Sequence, residues 1–135
     1  MAHENVVEAY FAAWLAKDAS VLPSVFAHDV VYSECYGPEY YGLNQIKRWF
    51  ADWNRRGTVL RWDIKNMISA ANNVCVEWYF CCEYDGNTDG FDGVSWIEFD
   101  EHGKIKALRE FQSKAEHCFP YDEAQRRETC SKEST

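Results

Sequence analysis

The stretch VCVEWYFCCEY, residues 74–84, decides the fold. Side chains alternate along an extended chain, so Val74, Val76, Trp78, Phe80, Cys82 and Tyr84 share one face, and Cys75, Glu77, Tyr79, Cys81 and Glu83 share the other. A strand this long, apolar and aromatic on one side, has to bury that side against a second layer. The same period of two returns over 59–69, 88–100 and 104–113. Short turns at Asn72-Asn73, Asp85-Gly86-Asn87 and Asp100-Glu101-His102-Gly103 join these runs, which makes them antiparallel neighbours.

Upstream of Gly57 the pattern is mostly helical. Val6, Val7, Tyr10, Phe11, Trp14 and Leu15 fall on one helical stripe. Asp18 or Ser20 is placed to cap a second, short helix carrying Val21, Leu22, Val25 and Phe26, with Pro23 in its first turn and His28-Asp29 closing it. Residues 30–36 alternate again, putting Val30, Tyr32, Glu34 and Tyr36 on one face before Gly37-Pro38 ends the run. Beyond the brief segment Glu39-Tyr40-Tyr41-Gly42, helical spacing recurs at Leu43, Ile46, Trp49, Phe50 and Trp53, and Gly57 is the expected C-terminal stop. The expectation is an α+β domain over 1–115: a curved, mostly antiparallel sheet around a pocket closed by three helices from the N-terminal half. Residues 116–135 read as a polar tail, mobile or forming a surface helical turn.

Composition narrows the function classes. A chain of 135 residues is the size of one domain, and its net charge of −8 repels phosphate backbones and anionic membrane surfaces, so no nucleic acid and no membrane partner is expected. Arg55, Arg56 and Arg61 form the one candidate basic cluster and read as solvated helix-end and strand residues. The six cysteines show no CxxC or metal-finger spacing, and a core of this size needs no staples, so reduced thiols are expected. His3, His28, His102 and His117 lie at ends and turns without HxH or HExxH spacing, so neither a metal nor a cofactor is expected. The opening Met-Ala-His-Glu-Asn lacks the basic and apolar regions of a signal peptide, and a cytoplasmic protein is the expectation.

The order of helices and strands resembles the NTF2-like superfamily, and within it the SnoaL-like and ketosteroid isomerase branch, over about residues 6–113. The residues that carry the resemblance are Val6-Val7-Glu8-Ala9-Tyr10, Phe26-Ala27-His28-Asp29, Gly42-Leu43-Asn44-Gln45-Ile46, and Ile97-Glu98-Phe99-Asp100 followed by Gly103-Lys104-Ile105. The resemblance implies a cone-shaped fold with a pocket between sheet and helices, hosting isomerases, cyclases, hydrolases, dehydratases and non-catalytic binders. It matches Tyr10 to the phenol that donates to a developing enolate oxygen and Glu34 to the general base, one methylene longer here. Ser95 falls where a protonated aspartate shares that oxyanion, and Glu110 falls on a pocket-side position that is apolar in the steroid isomerases.

Read as residues alone, these positions keep two meanings. Glu34 on an apolar face is either a base tuned upward by burial or a carboxylate at the pocket mouth bonded to Tyr36, Tyr40, Tyr41 or a backbone amide. Tyr10 is either an oxyanion donor or a core aromatic whose hydroxyl finds a partner. Glu110 points inward beside Glu34 or outward beside Arg109, because Ile105, Ala107 and Phe111 suggest one inner face and Leu108 the other. Trp14, Tyr32, Tyr36, Phe50 and Trp53 are candidate ligand contacts from the helical half, and Trp62, Trp78, Phe80 and Leu108 from the sheet. Such a lining favours a flat, apolar ligand. The outer face, with Cys75, Tyr79, Cys81, Val94 and Trp96, calls for a cover, and a homodimer through the sheet supplies it. Three function classes follow: proton-transfer chemistry on an apolar carbonyl compound, small-molecule binding without chemistry, and protein interaction through the sheet.

Overall fold

The structure, a computed structural model, describes residues 2–122. Its elements are α1 (His3–Ala16), a 3-10 turn (Ala19–Val21), α2 (Leu22–Val25), β1 (Phe26–Ser33), β2 (Glu39–Tyr41), α3 (Leu43–Arg56), β3 (Gly57–Ala70), β4 (Asn73–Tyr84), β5 (Asn87–Phe99) and β6 (Ile105–Ser113). The strands form one open sheet in the order β2-β1-β6-β5-β4-β3. Every pairing is antiparallel except β1 with β6, where the chain returns beside its first strand after the long excursion through α3 and β3 to β5. Register shifts interrupt β1/β6, β3/β4 and β5/β6, and such bulges bend and twist a sheet. This is the curved sheet with helices on its inner face that the sequence pattern predicts, and the α+β cone that the family resemblance implies.

Burial along β4 follows the expected alternation, with Val74, Val76, Trp78 and Cys82 buried and Glu77 and Glu83 exposed. The helical stripe of α1 covers this face. Phe11 stacks on Trp62 of β3 at 3.7 Å, and Tyr10 meets the same indole edge-on at 5.7 Å. Each aromatic ring removed from water here contributes about 2–3 kcal/mol, so the aromatic stripe of α1 outweighs any local preference in that helix. Pro23 sits in the first turn of α2 as expected, whereas Asp18, expected as a cap of that helix, accepts from the Ser20 amide and caps the preceding 3-10 turn; α2 itself has no side-chain cap. Gly42, at φ +88°, turns the chain from β2 into α3.

Several expectations are corrected. Leu15 is off the buried stripe and 44% exposed, because the helix turns it away from the sheet. The second helix ends at Val25, and His28-Asp29 lie within β1, where the register shift between Phe26 and Val31 absorbs two exposed polar residues. β1 stops at Ser33, so Glu34 and Tyr36 stand in the turn that follows. Gly57 is not a left-handed stop: its φ is −138°, and a Cβ there would lie 2.7 Å from the Tyr84 ring and 3.0 Å from Trp53, so lack of bulk is what selects it. In β6 the inner face is Leu108 and Glu110, with Ala107 and Phe111 facing out; the bulge beside Phe99 brings Ile105 inward and spoils the apparent alternation. Cys118 is disulfide-bonded, against the expectation of six reduced thiols; the composition argument weighed only what the core needs, and Cys118 lies beyond the core.

Of the expected tail, 116–122 forms no helix or strand, and Glu123, Arg126, Arg127, Glu128 and Lys132 lie outside the described residues. Among the described residues no helix is long and apolar enough to cross a membrane. Arg55, Arg56 and Arg61 each pair with a carboxylate, Asp52, Asp85 and Asp63 respectively, so they form no open basic patch.

Gly93 lies opposite Trp78 in the β4/β5 register, and a Cβ there would meet the indole at 2.3 Å and the Phe111 carbonyl oxygen at 2.5 Å. Neither neighbour is a flexible side-chain end. Gly93→Ala is therefore expected to cost about 1–3 kcal/mol as an overpacked site; urea unfolding with an unchanged midpoint would show that Trp78 is not held this way.

Candidate functional site

Sheet and helices leave a cavity of about 370 Å³ between them. Trp62 and Trp78, from β3 and β4, and Phe80 stand at 88°, 84° and 70° to one another, with ring centroids 5.5–6.4 Å apart, and form an aromatic corner. Trp14, Trp49 and Trp53 close the helical side, Trp14 meeting Trp53 at a right angle. Tyr36, 59% exposed, and Tyr84 also line the cavity. The remaining polar lining includes Asp89, Lys114 and Gln112; Lys114 pairs with Asp89 at 3.1 Å and lies over the Phe91 ring.

Two carboxyl groups share this cavity. Alternation carries Tyr32 inward and Ser33 outward, where its hydroxyl donates to Glu39, and Glu34 turns inward again although the strand has ended. A tight turn holds it there: the Glu34 amide donates to the Pro38 carbonyl at 2.9 Å, and the Gly37 amide donates back to the Glu34 carbonyl at 3.3 Å. Glu110 reaches the same place from β6, buried and opposite Ser95. A carboxylate oxygen of each and the Cys35 sulfur lie within 4.8 Å of one another.

A chain of hydrogen bonds backs Glu110. The Tyr10 hydroxyl donates to the Tyr32 hydroxyl at 2.7 Å, and the Tyr32 hydroxyl donates to Glu110 Oε2 at 2.7 Å. Burial, reinforced by the neighbouring Glu34 charge, holds the Glu110 carboxyl well above the ordinary carboxylate range. Burial likewise lifts Glu34 to about 7, held down in part by hydrogen bonds from Glu110 and from the Cys35 amide. The pair therefore holds one proton firmly, on Glu110, and a second that leaves near neutrality. Burial also raises the Cys35 thiol to about 12, so it stands here as a neutral group and not as a thiolate.

The structure sorts the sequence candidates. Glu34, Glu110, Trp14, Tyr32, Tyr36, Trp53, Trp62, Trp78 and Phe80 line the cavity. Tyr10 does not: it is fully buried behind Tyr32, on which its hydroxyl is spent. Ser95 is also off the wall, its Oγ accepting from Trp78 Nε1 at 2.9 Å. It anchors an indole where an oxyanion donor was expected, because Trp78 lies opposite Gly93, two residues before Ser95 on β5, and Gly93 leaves the ring room. Phe50 and Leu108 are buried core behind the lining. The sequence reading missed Val59, Tyr84, Asp89, Phe91, Gln112 and Lys114 as contacts. Gln112 and Lys114 follow Glu110 at intervals of two, so fixing the orientation of Glu110 would have found them.

The sequence profile of the SnoaL-like domain matches residues 7–108. The chain belongs to the SnoaL-like family. No curated protein matches the chain. Among solved structures, a hypothetical protein with a ketosteroid isomerase-like fold from Catenulispora acidiphila, in complex with trimethylamine, aligns with a TM-score of 0.72 at 21% identity, over 82% of this chain and 86% of that one. A candidate polyketide cyclase from Pseudomonas putida aligns at 0.75 with 20% identity over 84% and 92%. An LEH-like epoxide hydrolase of M. tuberculosis aligns at 0.73 with 17% identity over 81% and 80%. At these identities the solved structures establish the shared fold of this SnoaL-like chain.

The Glu34 shift carries a stability consequence with a defined sign. The folded chain holds the Glu34 proton up to about pH 7, whereas the unfolded chain releases it near 4.5, so this group's contribution favours the fold below that window and declines as pH rises through it. Thermal unfolding is expected to lose stability between about pH 5 and pH 8, by on the order of 3 kcal/mol at most from Glu34. Glu34→Gln should flatten that slope; an unchanged slope would place the carboxyl in water.

Proposed function

We propose that this SnoaL-like chain binds a small apolar carbonyl compound and moves a proton on it, as an isomerase or a related lyase or cyclase, with Glu34 as base and Glu110 as acid. The observation that supports this most directly is the carboxyl pair inside the aromatic cavity, with its titrations pushed apart by burial and by mutual charge.

Ionised Glu34 takes a proton from the carbon next to the carbonyl, and the electron pair moves to the oxygen. Glu110 turns its proton from Glu34 to that oxygen, leaving an enol. Reversal at a different carbon returns the Glu34 proton to carbon and the enol proton to Glu110, so no atom is lost and no cofactor is consumed. The aromatic shell excludes water, which strengthens both hydrogen bonds as charge develops. Tyr32 holds Glu110, and Tyr10 holds Tyr32, so both are positioning residues in this scheme. Ser95 fixes the Trp78 wall against which a flat substrate lies.

The same reading extends to a homodimer through the outer sheet face. There Arg109, Trp96, Cys75 and Ile68 form one cross-strand row, in which Trp96 and Ile68 are exposed, and exposed Phe111 flanks Val94 in the next.

Two measurements test these assignments. Exchange of α-hydrogens for deuterium in a ketone panel, followed by NMR, should fall on the order of a hundredfold or more in Glu34→Gln while affinity stays within a few fold. Equal exchange in both proteins would dismiss Glu34 as the base. Trp96→Arg should shift sedimentation from dimer to monomer and leave pocket binding intact, and an unaltered profile counts against the sheet dimer.

A further inference from the structure

The cavity wall offers a kind of surface that a cation uses more fully than an uncharged guest. Ten of its eighteen lining residues are aromatic, and Val59 is the lone branched aliphatic among them. Aliphatic side chains would desolvate a neutral hydrocarbon equally well per unit area. What aromatic faces add is a negative quadrupole, which attracts a cation within about 6 Å of the ring centroid. The perpendicular arrangement of Trp62, Trp78 and Phe80 presents ring surface to a corner guest from three directions.

Charge points the same way. Among the described residues the acids of the lining are Glu34, Asp89 and Glu110, and its one base, Lys114, is already paired with Asp89. Among the described residues no ion pair reaches Glu34 or Glu110. The pair thus has acidity without a counter-cation, inside walls suited to one.

We propose that the cavity takes a lipophilic ammonium ion, an alkylated amine seated in the aromatic corner, with its charge balanced by one negative charge shared between Glu34 and Glu110. The cation replaces the proton that burial otherwise keeps on Glu34, so binding releases a proton below neutrality. The groups facing Glu34 are Glu110 from β6, Cys35 and Tyr36 from its own turn, Tyr32 from β1, Tyr40 from β2 and, behind Tyr32, Tyr10 from α1. Beyond β6, Lys114 of the lining acts on Cys35 while paired with Asp89. Of these carboxyl, thiol and phenol groups, Glu34 loses its proton near neutrality, and burial raises the others. The binding inference stands apart from proton transfer: it reads affinity, so loss of ketone exchange leaves it untouched, and its own failure leaves Glu34 free to act as a base.

Tryptophan fluorescence titration of the full chain with phenyltrimethylammonium and its uncharged isostere tert-butylbenzene tests it. At about pH 8 the cation is expected to bind roughly tenfold tighter than the hydrocarbon. Below about pH 7 its affinity should fall toward tenfold per pH unit while that of tert-butylbenzene holds steady. Isosteres within about twofold of one another, a tighter hydrocarbon, or binding of neither would overturn the proposal. Glu34→Gln with Glu110→Gln should remove the cation's advantage and spare the hydrocarbon; near-UV circular dichroism checks that the double variant folds, and if it does not, the wild-type pH series decides.

Discussion

Two carboxyl groups enclosed by aromatic rings cannot both carry charge, and much of the arrangement around the cavity follows from that constraint. Ionising either costs solvation, and ionising both adds repulsion across less than 5 Å of low-polarity space. The protein resolves this by keeping Glu110 neutral behind Tyr32 and Tyr10 and by leaving Glu34 near its midpoint at neutrality. The neutral acid then stands within 4.8 Å of its neighbour and eases its ionisation. The tyrosines matter because a buried acid without partners would be an uncompensated cost, whereas here the polar contacts run from α1 through β1 to β6.

The walls depend on a second set of contacts on the sheet. Trp78 fits because Gly93 has no Cβ, and its indole is oriented by Ser95. The stack of Phe11 on Trp62 ties that wall to α1, and Gly57 lets Trp53 and Tyr84 approach each other where α3 runs into β3. Helix and sheet are thus joined by aromatic packing around the cavity rim, with the acid pair inside. An enclosure of this kind suits proton transfer and cation binding alike, because both draw on a low-dielectric site with a single mobile charge.

The architecture was legible because its signals are periodic. Alternation in β3 to β6 and the helical stripe of α1 survive local irregularities, and the tight turns leave antiparallel pairing as the simple solution. Local irregularities were hidden because a bulge changes the phase without changing the composition. That is why His28-Asp29 read as a helix end and why Ile105 seemed to share a face with Ala107. Gly57 was recognised as a boundary for the wrong reason, since the sequence shows a missing side chain but not the two rings that require its absence.

By itself, the sequence determined the strand and helix order, the aromatic inner face and one acid, Glu34, in register with that face, while the orientation of Glu110 stayed open. Only the tertiary structure decided that Glu34 stays inward after its strand has ended, that Tyr10 is spent on Tyr32 and that Ser95 serves Trp78. The physical reason is that periodicity reports which side of an element is apolar, whereas a hydrogen-bond partner 22 or 78 residues away is chosen by the packing of elements against one another.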